Sequence, residues 1–416
     1  MWNQAWAWLR DTLPLLQWLP DYTTEALRGD ATAGLTVGVM LIPQGMAYAV
    51  IAGVPPIYGL YAGLVPLLVY PLIGSSRHLA LGPVSIDMLI IAAGVGAIAQ
   101  AGTERYVALA ILLTAMVGLL QMAMGAMKLG FVANLLSRPV IAGLTTAASF
   151  IIAISQIGSL LGVELGRSQY IHVLLIEAVQ NAGNTHLLTL GIGTASIVLL
   201  MGLPRWLPKV PEALIVVVAG TLAGWGFGLR EKGVSVVGSI PQGLPAPELW
   251  TLSFSDLNTL LPAAITLALV QFMKDISLDR IFAARHGYTI DANRELIGVG
   301  AGNFFGSLFQ SIPASGSFSR SAVNEQSGAQ TALANAFAAG VIALTLLFLT
   351  PLFYHLPTPV LAAILIVSGF VLFALPELRS LFHARRRHVS LALFPAGCPL
   401  ALRIHGGIRL ARRRPA

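Results

Sequence analysis

The sequence predicts an all-α integral membrane protein built from two inverted seven-span repeats, and three observations predict it. Charge is scarce: of 416 residues, 56% are hydrophobic and 10% charged, where a soluble domain carries about 25% charged residues. The few charges cluster, leaving gaps long enough for the ~20 apolar residues that cross a bilayer as a helix. The rhythm of those gaps then occurs twice, on either side of a polar connection rich in Gly and Pro, as an internal duplication would produce.

Residues 1–30 mix Trp2, Trp6, Trp8 and Trp18 with Arg10, Asp11, Asp21, Glu25, Arg28 and Asp30. They read as an amphipathic cytoplasmic segment at the membrane interface rather than a cleavable leader. Residues 31–76 hold no Asp, Glu, Lys or Arg and supply two spans, divided by a turn at Gly53-Val54-Pro55-Pro56. A third span, 79–102, is interrupted only by Asp87; spans four to seven follow at 106–127, 139–163, 187–203 and 213–229. The stretch 230–256 lacks an apolar run of membrane length and reads as an exposed connection. Span eight, 257–283, ends among Lys274, Asp275, Asp279 and Arg280; span nine is 296–309 and span ten the short 317–327. Residues 326–376 are again free of Asp, Glu, Lys and Arg and hold two spans divided near His355-Leu356-Pro357. After His388 the chain is weakly hydrophobic and broken by Pro395, Pro399 and Arg403, so the last two spans of the second repeat are poorly represented.

An odd number of spans per repeat forces the copies into opposite orientations, the plan of many secondary transporters. Placing the N-terminus in the cytoplasm puts Arg77, Lys128, Arg138, Arg205, Lys209, Arg280, Arg285, Arg379, Arg385, Arg386 and Arg387 in cytoplasmic connections. Only Arg105, Arg167, Arg230 and Lys232 then fall outside, as the positive-inside rule requires. The same rule accounts for the net charge of +7. No basic stripe with interleaved aromatics points to nucleic acid. Cys398, the single cysteine, excludes an internal disulfide and a multi-cysteine metal site.

Two segments depart from the pattern in matching places. Leu81-Gly82-Pro83-Val84-Ser85 opens span three, and Ile312-Pro313-Ala314-Ser315-Gly316-Ser317-Phe318-Ser319-Arg320 opens span ten. Proline suits a helix start and serine an N-cap, so each predicts extended backbone leading into a helix that begins inside the membrane. Such a start leaves about four N–H groups unpaired and carries roughly +0.5 charge. Two facing starts make an anion site without a metal. Arg320 adds fixed positive charge, and an intramembrane arginine is functional by default; the structural alternative is an ion pair with Glu325 or Asp87. In span one, Gln44 and Tyr48 share a helix face beside Pro43, which frees a carbonyl; the alternative there is a helix contact through Gly45 and Ala47. In span eight a buried Asp275 or Asp279, next to Lys274, would suit a coupling ion, unless these groups simply face water.

The stretches IPQGMAYAVIAGVPPIYGLYAGLVPLLVYPLIGSSRHLALGPVS and ELIGVGAGNFFGSLFQSIPASGSFSRSAVNEQSGAQT resemble the sulfate permease family, which includes bacterial transporters and animal anion exchangers related to pendrin and prestin. The resemblance runs from about Leu19 to about Arg387. It implies a core domain of spans 1–4 and 8–11 (residues 31–130 and 257–355). It also implies a gate domain of spans 5–7 and 12–14 (131–230 and 356–416), an extracellular linker at 231–256, and elevator-like movement in a homodimer. The implied substrate pocket is Gln44 and Tyr48, Val84 and Ser85, and Ser317, Ser319 and Arg320. Two departures stand out: Lys274 occupies the place where many members carry a carboxylate, and the residues after His388 are not expected to form the C-terminal STAS domain usual in the family.

The expectation is therefore a secondary transporter of a small anion (sulfate, bicarbonate, chloride or a dicarboxylate), ion-coupled by protons or sodium. It would sit in the inner (plasma) membrane without a cofactor. An anion channel or voltage-responsive protein is the alternative from another class. A nucleobase symporter of the same plan is a third reading, which Arg320 disfavours. No nucleophile–base pair, phosphate loop or metal-ligand cluster marks an enzyme.

Overall fold

A computed structural model describes residues 19–134, 146, 150–163, 171–206, 211–250 and 253–371. Expected spans thirteen and fourteen, residues 139–145 and 147–149 of span five and the tryptophan-rich residues 1–18 lie outside these. The described chain is helical, and its contacts group it into two compact units. One takes the described residues of Met1–Leu135 and Ile240–Pro351, the other those of Leu136–Ser239 and Leu352–Ala416.

In the first unit, helix α1 (Thr24–Ala52) begins within the segment expected at the interface. Thr23 opens it, its side-chain oxygen accepting from the Ala26 N–H at 3.1 Å, and Gly53 closes it at φ 83°. Asp30, expected in the interfacial segment, is instead a buried residue of α1. Its carboxylate accepts from the N–H groups of Gln330 and Thr331 at 2.7 and 2.9 Å. Span two is split into α2 (Pro56–Tyr61) and α3 (Val65–Ile73). Span three reduces to α4 (Ser85–Gly96), and α5 (Glu104–Ala126) follows. The second half supplies α10 (Phe254–His286), α11 (Ala292–Ser307), α12 (Phe318–Gln326) and α13 (Leu333–Leu344); the last winds on through π and 3₁₀ turns to His355.

The pairings repeat with the halves exchanged: α1 lies along α13 and α10 along α5, while α3 lies along α11. Small residues permit this. A Cβ on Gly118 of α5 would stand 2.6 Å from the Gly300 carbonyl of α11, so the two backbones touch. At 1.5 Å rise per residue α4 and α12 are too short to cross ~30 Å of hydrocarbon, and extended backbone precedes each.

The second unit holds α6 (Ile157–Leu161), α7 (Ile171–Gln180), α8 (Leu187–Trp206), α9 (Glu212–Gly226) and α14 (Thr358–Val371). Helix α14 packs on α6, α8 and α9. The connection after α9 is extended and meets the start of α14 at Val236 and Pro357. Six helical stretches among the described residues are long and apolar enough to cross a membrane: the chain is a multi-pass membrane protein.

Candidate functional site

The site lies within the first unit, where the two extended segments meet. Ser315 N–H donates to the Gly82 carbonyl at 2.9 Å and Ser317 N–H to the Ala80 carbonyl at 3.2 Å. Most other backbone groups here find side-chain partners, as irregular backbone in a membrane protein must. Asn335 donates to Leu79 O at 2.8 Å and accepts from Leu81 N–H at 3.2 Å. Ser321 Oγ accepts from Ala80 N–H, and Asn324 donates to His78 O. On the opposite segment, Asn303 Oδ1 accepts from Ala314 N–H at 2.8 Å and Asp275 Oδ1 from Gly316 N–H at 3.0 Å.

Both segments end in helix starts, as the Pro/Gly/Ser pattern predicted. Helix α4 follows Val84, extended at φ −133°, and α12 follows Ser317, extended at φ −112°. Neither start carries a side-chain cap, so the first-turn N–H groups of both are left for a ligand or water. Ser85 Oγ is buried and has no partner among the described residues.

Arg320 is fully buried. One guanidinium nitrogen, Nη1, donates to Gln44 Oε1 at 3.3 Å and Pro83 O at 3.1 Å. Nε and Nη2 have no partner among the described residues. The predicted ion-pair alternatives do not form: Asp87 is engaged by Lys274 and Glu325 by Arg285 and His286. Burying a guanidinium with two idle donors is costly, and an anion is the ligand that would use both. Gly82 makes the close approach possible. At φ 141°, a Cβ there would stand 3.1 Å from Arg320 Nη2, so both its backbone angle and its neighbour call for glycine.

The other predicted positions fall close by. Gln44 and Tyr48 are 7% and 5% exposed on α1, and Tyr48 is near enough to Arg320 to interact electrostatically. The helix contact expected at Gly45 forms, with Gly45 packed on Gly59. Val84 is buried, Ser319 is half-buried, and its Oγ lies 3.3 Å from Ser317 Oγ.

Lys274 enters from α10. Its Nζ donates to Ser315 Oγ at 2.6 Å and lies 3.5 Å from Asp87 Oδ1 and 4.0 Å from Asp275 Oδ1. Asp87 also accepts from Gln271 and Ser315. The water-facing alternative for the span-eight acids fails, since Asp275 is 2% and Asp279 0% exposed. Asp279 belongs to a different cluster, beside Glu295 and Ser76. Glu295 itself accepts from Tyr70 Oη, Ser75 and the Ser76 N–H. Residue-by-residue reading missed Gln121, Gln271, Asn303 and Asn335; amides inside charge-free spans were the available signal. Gln271 Oε1 accepts from Gln121 at 3.0 Å and Asn303 at 3.3 Å. Among the described residues no group of three or more His, Cys, Asp or Glu is arranged for a metal.

A family model described as the sulfate permease family matches residues 27–393. The chain belongs to the sulfate permease family. Of its curated relatives, the chloroplastic sulfate transporter 4.1 of Arabidopsis thaliana is 39% identical over 373 residues, covering 88% of this chain and 54% of that one. A probable sulfate transporter of Mycobacterium tuberculosis is 37% identical over 391 residues, 94% of this chain and 70% of that one. This chain thus spans about half the length of the Arabidopsis relative. The solved structure of murine solute carrier 26 family member A9, an anion transporter in the inward-facing state, superposes with a TM-score of 0.86 at 26% identity. That match covers 97% of this chain and 72% of the murine one. The sulfate permease family is one of permeases, not enzymes.

Proposed function

We propose that this chain is a secondary transporter of a small anion such as sulfate, bicarbonate, chloride or a dicarboxylate. The observation that carries the reading is Arg320: a fully buried guanidinium, with Nε and Nη2 unpartnered, between two uncapped helix starts. Gln44, Tyr48, Val84, Ser85, Ser317, Ser319 and Arg320 line the proposed pocket. Fixed dipoles and one cation favour a compact anion without a cage of many charges, weak enough to release it. The sulfate transporters and anion transporter among the relatives agree in ligand sign.

The proposed cycle is alternating access of the elevator kind in a homodimer of the inner membrane, N-terminus cytoplasmic, with uptake coupled to an inward ion gradient. Asp275 is the acid best placed to take a coupling ion. Its Oδ1 receives the Gly316 N–H, while its buried Oδ2 meets no donor among the described residues.

The test is uptake of radiolabelled sulfate, bicarbonate and C4-dicarboxylates into proteoliposomes, with and without a pH gradient. Saturable uptake of at least one anion, with a fixed ion stoichiometry, is expected. No uptake of any anion refutes the carrier. Flux without fixed stoichiometry identifies a channel instead.

A further inference from the structure

The Lys274 ammonium is surrounded as a bound cation would be. Three oxygens from three different elements converge on it: Ser315 Oγ at 2.6 Å from the segment before α12, Asp87 Oδ1 at 3.5 Å from the first turn of α4, and Asp275 Oδ1 at 4.0 Å from α10 itself. Two are carboxylate oxygens and one a hydroxyl, the hard donor set that alkali and alkaline-earth ions prefer. Asp87 is fully buried. Its carboxylate needs a compensating positive charge in a low-dielectric setting, and Lys274 provides it through a covalent tether.

We infer that Lys274 is a resident cation, its ammonium holding the position in which a sodium ion would otherwise neutralise Asp87, so that the anion site works without sodium. This rests on the anion-transporter reading and narrows it: sodium has no place at this cluster, and the coupling ion taken there is a proton. The contacts also explain why the charge is tethered. The ammonium joins the α4 start to the segment leading into α12, so the two anion-facing helix starts stay together with no ion to gain or lose.

The experiment compares sodium chloride with N-methylglucamine chloride, which holds the chloride concentration constant. In proteoliposomes, wild-type uptake of radiolabelled sulfate is expected to be the same in both media. In Lys274→Met the oxygen cage loses its cation, so uptake should drop at least ~10-fold without sodium and recover with it, a factor corresponding to ~1.4 kcal/mol of lost compensation. The double variant Lys274→Met/Asp87→Asn removes the charge in need of compensation and should lose the sodium response. Thermal unfolding of the purified full chain in the same media reads cation binding without transport: sodium should raise the melting temperature of Lys274→Met alone. Sodium-stimulated uptake or sodium stabilisation in the wild type overturns the inference. A Lys274→Met protein with no sodium response overturns it too, as does a response that persists in the double variant. Should Lys274→Met not fold, Lys274→Gln takes its place, and the wild-type comparison decides by itself. A wild type that carries no anion in either medium refutes the transport reading instead, while the unfolding measurements still decide the cation's place.

Discussion

Replacing Arg320 is the sharpest perturbation of the proposed anion site, and its magnitude follows from the bonds it makes. Nη1 is occupied by Gln44 and Pro83, whereas Nε and Nη2 have no partner among the described residues. A hydrogen bond to a charged partner is worth about 1.5–3 kcal/mol. Two such bonds to a bound anion therefore amount to about 3–6 kcal/mol, or roughly 10²- to 10⁴-fold in affinity. Arg320→Ala should weaken sulfate binding by that factor. Arg320→Lys keeps the charge but loses the planar fork that presents two donors side by side, so it should fall between wild type and alanine. Isothermal titration of the purified protein with sulfate measures the loss. Melting temperatures check that the fold survives the cavity and the orphaned Gln44 and Pro83 acceptors. An alanine variant that melts as a folded protein yet binds sulfate within ~3-fold of wild type, under ~0.7 kcal/mol, would refute the assignment of Arg320 to the anion.

Further tests address the scaffold and its pH response. Gly59→Ala places a Cβ 1.9 Å from the Gly45 carbonyl oxygen; backbone cannot yield as a side-chain tip does, so a loss of about 3 kcal/mol or more is expected. It should appear as a lower melting temperature and, because Gly45 adjoins Gln44, as weaker sulfate binding. Asp30→Ala leaves the part-buried Gln330 and Thr331 N–H groups without their charged acceptor and should cost about 1–3 kcal/mol, again read by thermal unfolding, with Asp30→Asn recovering part of it. His78, in the connection ahead of α4, is buried, stacks on His286 at 4.3 Å and lies 3.2 Å from Tyr288 Oη. Desolvation first, then the His286 charge, lowers its pKa from 6.5 to about 4, against the opposing pull of Glu325. The unfolded chain therefore binds a proton that the folded chain refuses, so this contribution to stability is present above pH 6.5 and is lost as pH falls to about 4. Melting temperature against pH should show this slope in the wild type and a flatter one in His78→Gln.

Local chemistry made much of the site readable. The Gly-Pro-Val-Ser and Ser-Gly-Ser runs announce extended backbone and a helix start wherever they occur, because proline lacks an N–H and serine competes for backbone donors. Their duplication, and Arg320 in a charge-free stretch, pointed to an anion before any contact was known. Pairing was less readable. Asp87 and Glu325 were equally reasonable partners for Arg320 in the sequence, yet both are held elsewhere, and the guanidinium bonds a glutamine and a backbone carbonyl. Gln271, Asn303 and Asn335 hold the broken segments in place, but uncharged amides hardly alter the hydrophobicity of a span and so passed without notice.

The sequence by itself determined that this is a helical membrane protein and where its helices break, because burial of apolar surface and the limits of proline and glycine act over a few residues. Long-range geometry decided the rest. Only folding brings Ser315 and Asp87, 228 residues apart in the chain, around Lys274, and so gives the span-eight ammonium its compensating carboxylate. The physical reason is that a buried charge is defined by its neighbours, and those neighbours come from helices that touch only in the folded protein.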